Sequence, residues 1–292
     1  MRKGLVLIMA MACSTIALAD EKVEENKLWT IKGVTGINMS QTSFVNWSAG
    51  GDNTIALNAF LNLGAHYKKG KYVWDNDLAT EYGNTYTKSN SWVKSVDKFE
   101  ISSKLGYEVA TKWYLSALAD LKTQFDKGYK NPKDEQYISK FFAPAYANIS
   151  LGMDYKPTDD FSLYMSPITG KMTIVADSFL SDAGAFGVDP GDKFRMEAGA
   201  YIKVSYSREL MKNVKLISKA NFFTAYDKSF GNVDINWENV INMKVNKFIS
   251  ANIHTNLQYD DDVKRFDEEG KKIGGAKVQF KEMIGVGLAY NF

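Results

Sequence analysis

Apolar and polar residues alternate along most of this chain with a period of two. A strand with one apolar and one polar face gives that period, because successive side chains point to opposite sides. Between Ile55 and Tyr67 one face reads Ile55, Leu57, Ala59, Leu61, Leu63, Ala65, Tyr67, and the other carries Asn58, Phe60, Asn62, Gly64 and His66. From Ile101 the apolar face is Ile101, Leu105, Tyr107, Val109, against Ser102, Lys104, Gly106, Glu108. From Trp113 it is Trp113, Leu115, Ala117, Ala119, Leu121, against Ser116, Asp120, Lys122 and Gln124, with Leu118 the exception. The same alternation recurs at 147–155, 194–206, 249–259 and 284–292, and more weakly at 29–37, 72–82, 161–166, 214–226 and 233–245. That makes twelve predicted strands, and single-chain bacterial barrels use an even number.

The connections predict how the strands are arranged. Short turns are expected at 68–71, 110–112, 156–160, 207–213 and 246–248. The connections between them read as long: 38–53, 83–95, 126–143, 167–192 and 260–276, with only 227–232 short. A soluble sandwich gives no reason for such an alternation. A closed antiparallel transmembrane β-barrel of about twelve strands does, with short periplasmic turns, long extracellular loops and both termini in the periplasm. Tyr or Trp ends many apolar faces, as at Tyr67, Trp113, Tyr155, Tyr206, Tyr226, Tyr259 and Tyr290, where a membrane barrel carries its aromatic girdles. The final Tyr290-Asn291-Phe292 closes an alternating strand with a terminal Phe, resembling the signal read by the barrel-assembly machinery. On this reading Lys at Leu151 or Ile253 meets lipid and is costly, while Lys at Ser150 or Asn252 meets the lumen and costs much less.

The start of the chain reads differently. Arg2 and Lys3, the apolar run Gly4 to Ala12 and the Ala17-Leu18-Ala19 site form a secretory signal, with cleavage expected after Ala19. The expected organisation is a signal peptide at 1–19 and one outer-membrane barrel domain at 20–292. Cys13 is the only cysteine, so the cleaved chain has no disulfide and no thiolate metal site. Lipidation of Cys13 is the competing reading, but Ala10 stands where Leu is usual. No run approaches the roughly 18 apolar residues of a spanning helix, which excludes a helical membrane protein. Without Arg2 and Lys3 the 36 basic residues fall to 34, equal to the 34 acidic ones. That balance gives no footprint for nucleic acid.

Several motifs resemble one family as a set: Asn46-Trp47-Ser48-Ala49-Gly50-Gly51, Lys122-Thr123-Gln124-Phe125 with Gly128-Tyr129, Phe141-Phe142-Ala143-Pro144-Ala145-Tyr146, Ser166-Pro167, and Gly187-Val188. They are similar to a Bacteroidetes outer-membrane β-barrel family of exported domain-of-unknown-function proteins. The resemblance implies outer-membrane residence. It carries over no catalytic residue, because the family has no assigned activity.

Candidate chemistry is sparse. The chain has no Walker loop, no G-x-G-x-x-G and no H-E-x-x-H. His66 and His254 each stand alone on a predicted inward face, and His254 sits too near mid-strand to attack a lipid ester. Asp260-Asp261-Asp262 could bind calcium, though such loop acidity is more often solvation. Gly50-Gly51-Asp52-Asn53 reads first as a turn. No catalytic, cofactor-binding or metal-ligating set is expected, and no cofactor.

The informative residues are inward charges. The candidates to line a pore are Lys104, Glu108, Asp120, Lys122, Asp154, Arg195, Glu197, Lys203, Lys219, Glu238, Lys244 and His254, with Lys215 beside them. Mixed signs allow a narrow wet pore or a network that blocks flow. The first function reading is a small channel or transport pore for small solutes. The alternative is a structural or interaction barrel offering long extracellular loops to a partner. A membrane-embedded hydrolase is the least favoured. The expected partners are outer-membrane lipid, the barrel-assembly machinery through the last strand, and a small solute or extracellular partner.

Overall fold

The computed structural model describes residues 28–43, 53–227, 230–246, 249–260, 265–266 and 272–292. The expected signal peptide, the Asn46 to Gly51 motif, most of the Gly50 to Asn53 turn, and Asp261 and Asp262 lie outside the described residues. Sixteen strands follow in chain order: β1 (Trp29–Thr42), β2 (Thr54–Lys69), β3 (Tyr72–Thr87), β4 (Ser91–Ala110), β5 (Trp113–Thr123), β6 (Gly128–Tyr129), β7 (Tyr137–Ser139), β8 (Ala145–Thr158), β9 (Phe161–Ile174), β10 (Phe194–Met211), β11 (Val214–Ala225), β12 (Asp234–Lys244), β13 (Ile249–Tyr259), β14 (Arg265–Phe266), β15 (Lys272–Gly274) and β16 (Gln279–Asn291). One short helix, α1 (Ser178–Asp182), lies between β9 and β10.

Twelve of the strands close on themselves in the order β1-β16-β13-β12-β11-β10-β9-β8-β5-β4-β3-β2. Neighbours pair antiparallel throughout, so the fold is a closed all-β barrel. The remaining strands form two small hairpins in long loops, β6 with β7 and β14 with β15. Closure is sealed by the last residue. Phe292 and Gly33 exchange backbone hydrogen bonds at 3.0 and 2.8 Å. A Cβ on Gly33 would stand 2.2 Å from the Phe292 ring, so only glycine leaves room there.

The alternation read from the sequence sets the two faces. Leu57, Ile101, Leu105, Leu115, Ile149, Leu151, Ile284 and Leu288 project outward and are exposed, Ile149 by 72%. Their neighbours Asn58, Ser116, Ser150 and Asn252 point inward and are buried. A large apolar outer surface around a polar interior is what lipid, not water, demands. Leu118, the exception in the pattern, points inward and is buried with Tyr164, Tyr201, Phe223 and Ala225.

Most short turns fall at one end, together with Trp29 at the start of β1 and with Phe292, while the short β3–β4 turn lies at the other. The turns after β2, β4, β8 and β10 are two residues long. Aromatics collect at this end: Trp29 contacts Tyr67 and Trp74 with ring centroids 5.2 and 5.6 Å apart, and Trp113 stacks on Tyr155 at 4.7 Å.

Two connections differ from expectation. The expected long loop at 83–95 is only the turn at 88–90, because β3 and β4 run on past the apolar belt. Residues such as Asn84, Thr85, Thr87 and Lys94 are polar on both faces there and carry no alternation to read. The loop expected at 167–192 begins only after Ile174, because Pro167 does not end β9. Pro167 lies at a β-bulge, where a missing N–H is tolerated. The ladders of β9 with both β8 and β10 shift register there. Ser166 Oγ lies 2.8 Å from the carbonyls of both Leu151 and Ile168, which share its one proton, and Tyr226 Oη donates to the Pro167 carbonyl at 2.8 Å. Gly152 faces the bulge, where a Cβ would strike the Met165 carbonyl at 2.1 Å.

The two faces predict opposite failures. Leu151→Lys and Ile253→Lys should each lose about 2–4 kcal/mol if they face the middle of the bilayer. Ser150→Lys is not the cheap control that sidedness alone suggests. Ser150 is 4% exposed and its hydroxyl lies 3.0 Å from Tyr164 Oη, so the longer chain has no water to enter. Urea titrations of folding into lipid vesicles should therefore show both classes destabilised, with Leu151→Phe near neutral.

Candidate functional site

Among the described residues most ion pairs gather in the lumen, and its middle is largely filled. On one wall Leu118, Tyr164, Tyr201 and Phe223 form an apolar block, with Tyr164 wholly buried. On the other, Asn38, Asn58, Phe60 and Asn252 are all buried, and Asn252 Nδ2 donates to Asn38 Oδ1 at 3.2 Å across the glycines of β16. Charged side chains occupy the space between these blocks and both mouths.

Toward the short turns a chain of opposite charges runs along the wall from β2 to β9. His66 Nδ1 lies 3.1 Å from Asp75, which pairs with Lys156 at 2.5 Å. Lys156 lies 3.6 Å from Asp154, and Asp154 pairs with Lys104 at 2.6 Å. Ser162 Oγ donates to Asp154 at 2.6 Å, and Lys104 donates to Ser162 at 3.1 Å. The Asp154 side chain is fully buried, so its charge survives only because these donors surround it.

At mid-height the charges cross the lumen. Lys98 on β4 and Glu238 on β12 pair at 2.7 Å. In the strand order β4 and β12 are six places apart in either direction, which makes them diametrically opposite. Lys98 also pairs with Glu100 at 3.0 Å, and Glu100 with Lys122 at 3.2 Å. Lys203 on β10 donates to Ser102 on β4 at 3.1 Å, a second crossing. These side chains retain partial exposure, 20% for Lys98 and 22% for Glu238, so water reaches the crossing.

Toward the long loops Lys171 on β9 reaches Asp234 on β12 at 2.6 Å, and Arg195 pairs with Glu197 at 2.6 Å. Arg195 also donates to the Gly187 carbonyl at 3.2 Å, tying the loop that carries α1 to the mouth. This loop packs against the segment before β8 through Ala143, Val175, Leu180 and Val188. Asp177 caps α1 by accepting from Leu180 N, and it also takes Tyr137 Oη at 3.0 Å and pairs with Lys140. Burial pushes the Asp177 carboxyl up, but the Lys140 ammonium, the Leu180 amide and the Tyr137 hydroxyl together hold it below its ordinary value. Its partner Lys140 is raised chiefly by its hydrogen bond to Asp177.

All twelve candidates named from the sequence point inward, as does Lys215, since each pairs in register with another inward residue. The structure joins Lys104 to Asp154, Arg195 to Glu197, and Glu238 and Lys122 to the Lys98–Glu100 pair. Asp120 accepts from Asn148 at 2.8 Å and makes no ion pair among the described residues. Glu108, Lys219 and Lys244 likewise join none among the described residues, and His254 meets only the Phe60 ring edge, at 6.5 Å. Sequence reading missed Lys98, Glu100, Asp75, Lys156, Lys171 and Asp234. Lys98 and Glu100 were legible, because Phe99 and Ile101 continue the apolar face beside them. Lys156 was hidden by its place next to a turn. Among the described residues no group of three or more His, Cys, Asp or Glu is placed to hold a metal ion.

Comparison with known proteins finds a family model that matches part of the chain. Residues 39–129 match the family model described as Protein of unknown function (DUF3078). The matched span includes the Asn46 to Gly51 and Lys122 to Tyr129 motifs, and not those around Phe141, Ser166 or Gly187. No curated protein matches the sequence. Among solved structures, the chain is similar to the COG4313 outer membrane channel from Pseudomonas putida F1, with 11% identity, 93% of this chain and 100% of that one covered, and a TM-score of 0.41. It is similar to the translocator domain of the autotransporter NalP from Neisseria meningitidis, with 8% identity, 98% and 95% covered, and a TM-score of 0.37. The NanC porin gives 11%, 88% and 98%, and 0.36.

Two outcomes test this geometry. Asp154→Ala leaves the Lys104 and Lys156 ammonium groups without their shared carboxylate, and should cost about 3–5 kcal/mol in a urea titration, as breaking a buried pair does. Asp177 gives a pH dependence at the loops. Its folded value is depressed, so its contribution is complete above about 3.9, the ordinary carboxylate value, and is lost as pH falls through the lower folded value. Hydrogen exchange at the Leu180 amide should accelerate over that acid range, and Asp177→Ala should show the fast exchange already at neutral pH.

Proposed function

We propose that the chain is an outer-membrane barrel acting as a narrow channel for small polar solutes, gated by the Lys98–Glu238 crossing. The observation that carries this reading is that the constriction is made of partly hydrated side chains of opposite sign. Side chains can swing aside without refolding, and charged rings at close quarters select what passes. A barrel needing only a sealed interior could use apolar packing throughout, since a desolvated ion pair is poor stabilisation. In this orientation the short turns and both termini face the periplasm, after cleavage of a signal peptide following Ala19. Insertion through the assembly machinery would read the β16 end at Phe292, and a Bacteroidetes source fits the motif resemblance.

The second reading is an interaction barrel. It is favoured by the ordered cap over the mouth, which exposes Tyr129, Ile138, Phe141 and Phe179 at the long-loop end. An enzyme finds less support. His66 has Asp75 beside it, but neither His66 nor His254 meets a serine hydroxyl among the described residues.

Glu197 and Asp120 are tied to Arg195 and Asn148 along the wall, so the selectivity handles are Glu238 and Lys98, which cross the lumen. Planar-bilayer recording should show small conductances for the native protein and severalfold larger ones for Lys98→Ala with Glu238→Ala. Glu238→Gln alone leaves Lys98 and Lys122 sharing the single Glu100 carboxylate, an excess of positive charge at the crossing, and should move the reversal potential toward anions in asymmetric salt. If neither the native barrel nor the double variant passes current, the channel reading fails and the interaction reading takes its place.

A further inference from the structure

Between its aromatic ends, a membrane barrel should present apolar side chains to lipid, since hydrocarbon offers polar groups no partner. One sector departs from this. Ser218 on β11 lies opposite Asn239 on β12, Asn239 opposite Thr255 on β13, and Thr255 opposite Glu282 on β16. All four are on the outer face. Glu282 stands between Phe280 and Ile284, each 64% exposed, and Asn239 follows the exposed Trp237. Tyr259 and Val278 mark the long-loop end of this sector. Glu282 is four residues beyond Val278, which places it roughly 10 Å into the apolar band at about 3.3 Å per residue and about 40° of tilt.

Part of the row is satisfied from within. Asn239 Nδ2 donates to Thr255 Oγ1 at 3.3 Å, and Trp237 Nε1 to Ser218 Oγ at 3.0 Å. The Glu282 carboxylate has no hydrogen bond or ion pair to any described residue. Across the barrel, the outward Ser103 donates to Asn76 and accepts from the Trp74 indole, and that pair carries no charge. A second feature marks the same place. The ladder joining β1 to β16 spans only Val34 to Met39, the shortest between neighbours in the barrel. Gln279 to Ile284 pair with β13 alone among the described residues, so within those residues the wall is least closed beside Glu282.

We propose that this sector, β11 to β16 across the row, is where two copies of the chain meet side by side in the membrane. A two-fold contact requires a surface complementary to itself. The row supplies that, with an acceptor-only carboxylate at one end and donors along the rest, the Asn239 amide and the Thr255 and Ser218 hydroxyls. Acyl chains supply neither. Trp237, Ile241, Ile253 and Ile284 surround the polar centre with apolar area to pack. Polar side chains at lipid depth act in this way as glue between spanning segments.

Single cysteines test the contact in native membranes, with the unsubstituted chain as the control for Cys13. Asn239→Cys and Thr255→Cys should give a cross-linked species of twice the chain mass, and Ile149→Cys, on the far wall, should give none. Cross-linking equal at all three positions, none at any, or adducts of another mass would overturn the proposal. Glu282→Leu suits lipid and should leave the barrel folded, as read by its gel mobility before and after heating. In reconstituted bilayers that variant should lose the dimer. A Glu282→Leu variant that keeps the native oligomeric state would also overturn the proposal.

Discussion

Every backbone N–H and C=O in the apolar belt must find a protein partner, because lipid offers none. That constraint organises the molecule. It requires closure, and closure makes the last residue structural: Phe292 completes the ladder with Gly33. It also explains the chemistry where the wall is interrupted in mid-strand. At Pro167 the ladder slips, and side-chain hydroxyls stand in for the missing strand partners, Ser166 for the Leu151 carbonyl and Tyr226 for that of Pro167. A proline in mid-strand is tolerated because each freed group has been answered.

The interior obeys a different economy. Inside the wall, charges lose most of their water, so each must gather partners or cost several kcal/mol. The result is a chain of alternating signs from His66 to Lys104, and a separate set crossing at Lys98 and Glu238. The outer face shows the same rule in reverse. Its polar groups are few, and those that stay unpaired within one chain identify where further protein surface is needed.

How much of this could be read from sequence follows from what alternation encodes. Alternation records which face meets lipid, so strand number, sidedness and the inward charges were legible from Ile101, Leu105 and Ile149 against Lys104 and Ser150. It fades where both faces meet water, and so the upper reaches of β3 and β4 read as loop. It cannot see through a breaker, so Pro167 ended a strand on paper that continues in space. It is also silent on which inward residues touch. Lys98 and Glu238 are 140 positions apart, and only closure brings them within hydrogen-bonding distance. The expectation that inward positions are roomy failed at Ser150 for the same reason, since the occupant of that space is Tyr164 from the next strand.

The Lys98–Glu238 pair also fixes the shape of the cross-section. Twelve strands about 4.8 Å apart and tilted about 40° would enclose a circle roughly 24 Å across. Two extended side chains and their contact reach only about 14 Å from backbone to backbone at ordinary bond lengths. The barrel is therefore an oval with a tie across its short axis. Such a tie leaves two lobes instead of one bore, the first bounded by β5 to β11 with Asp120 and Lys203, the second by β13, β16, β1, β2 and β3 with Asn58 and His254. A solute at this level has two differently lined lanes before it, and changing one lobe need not alter the other.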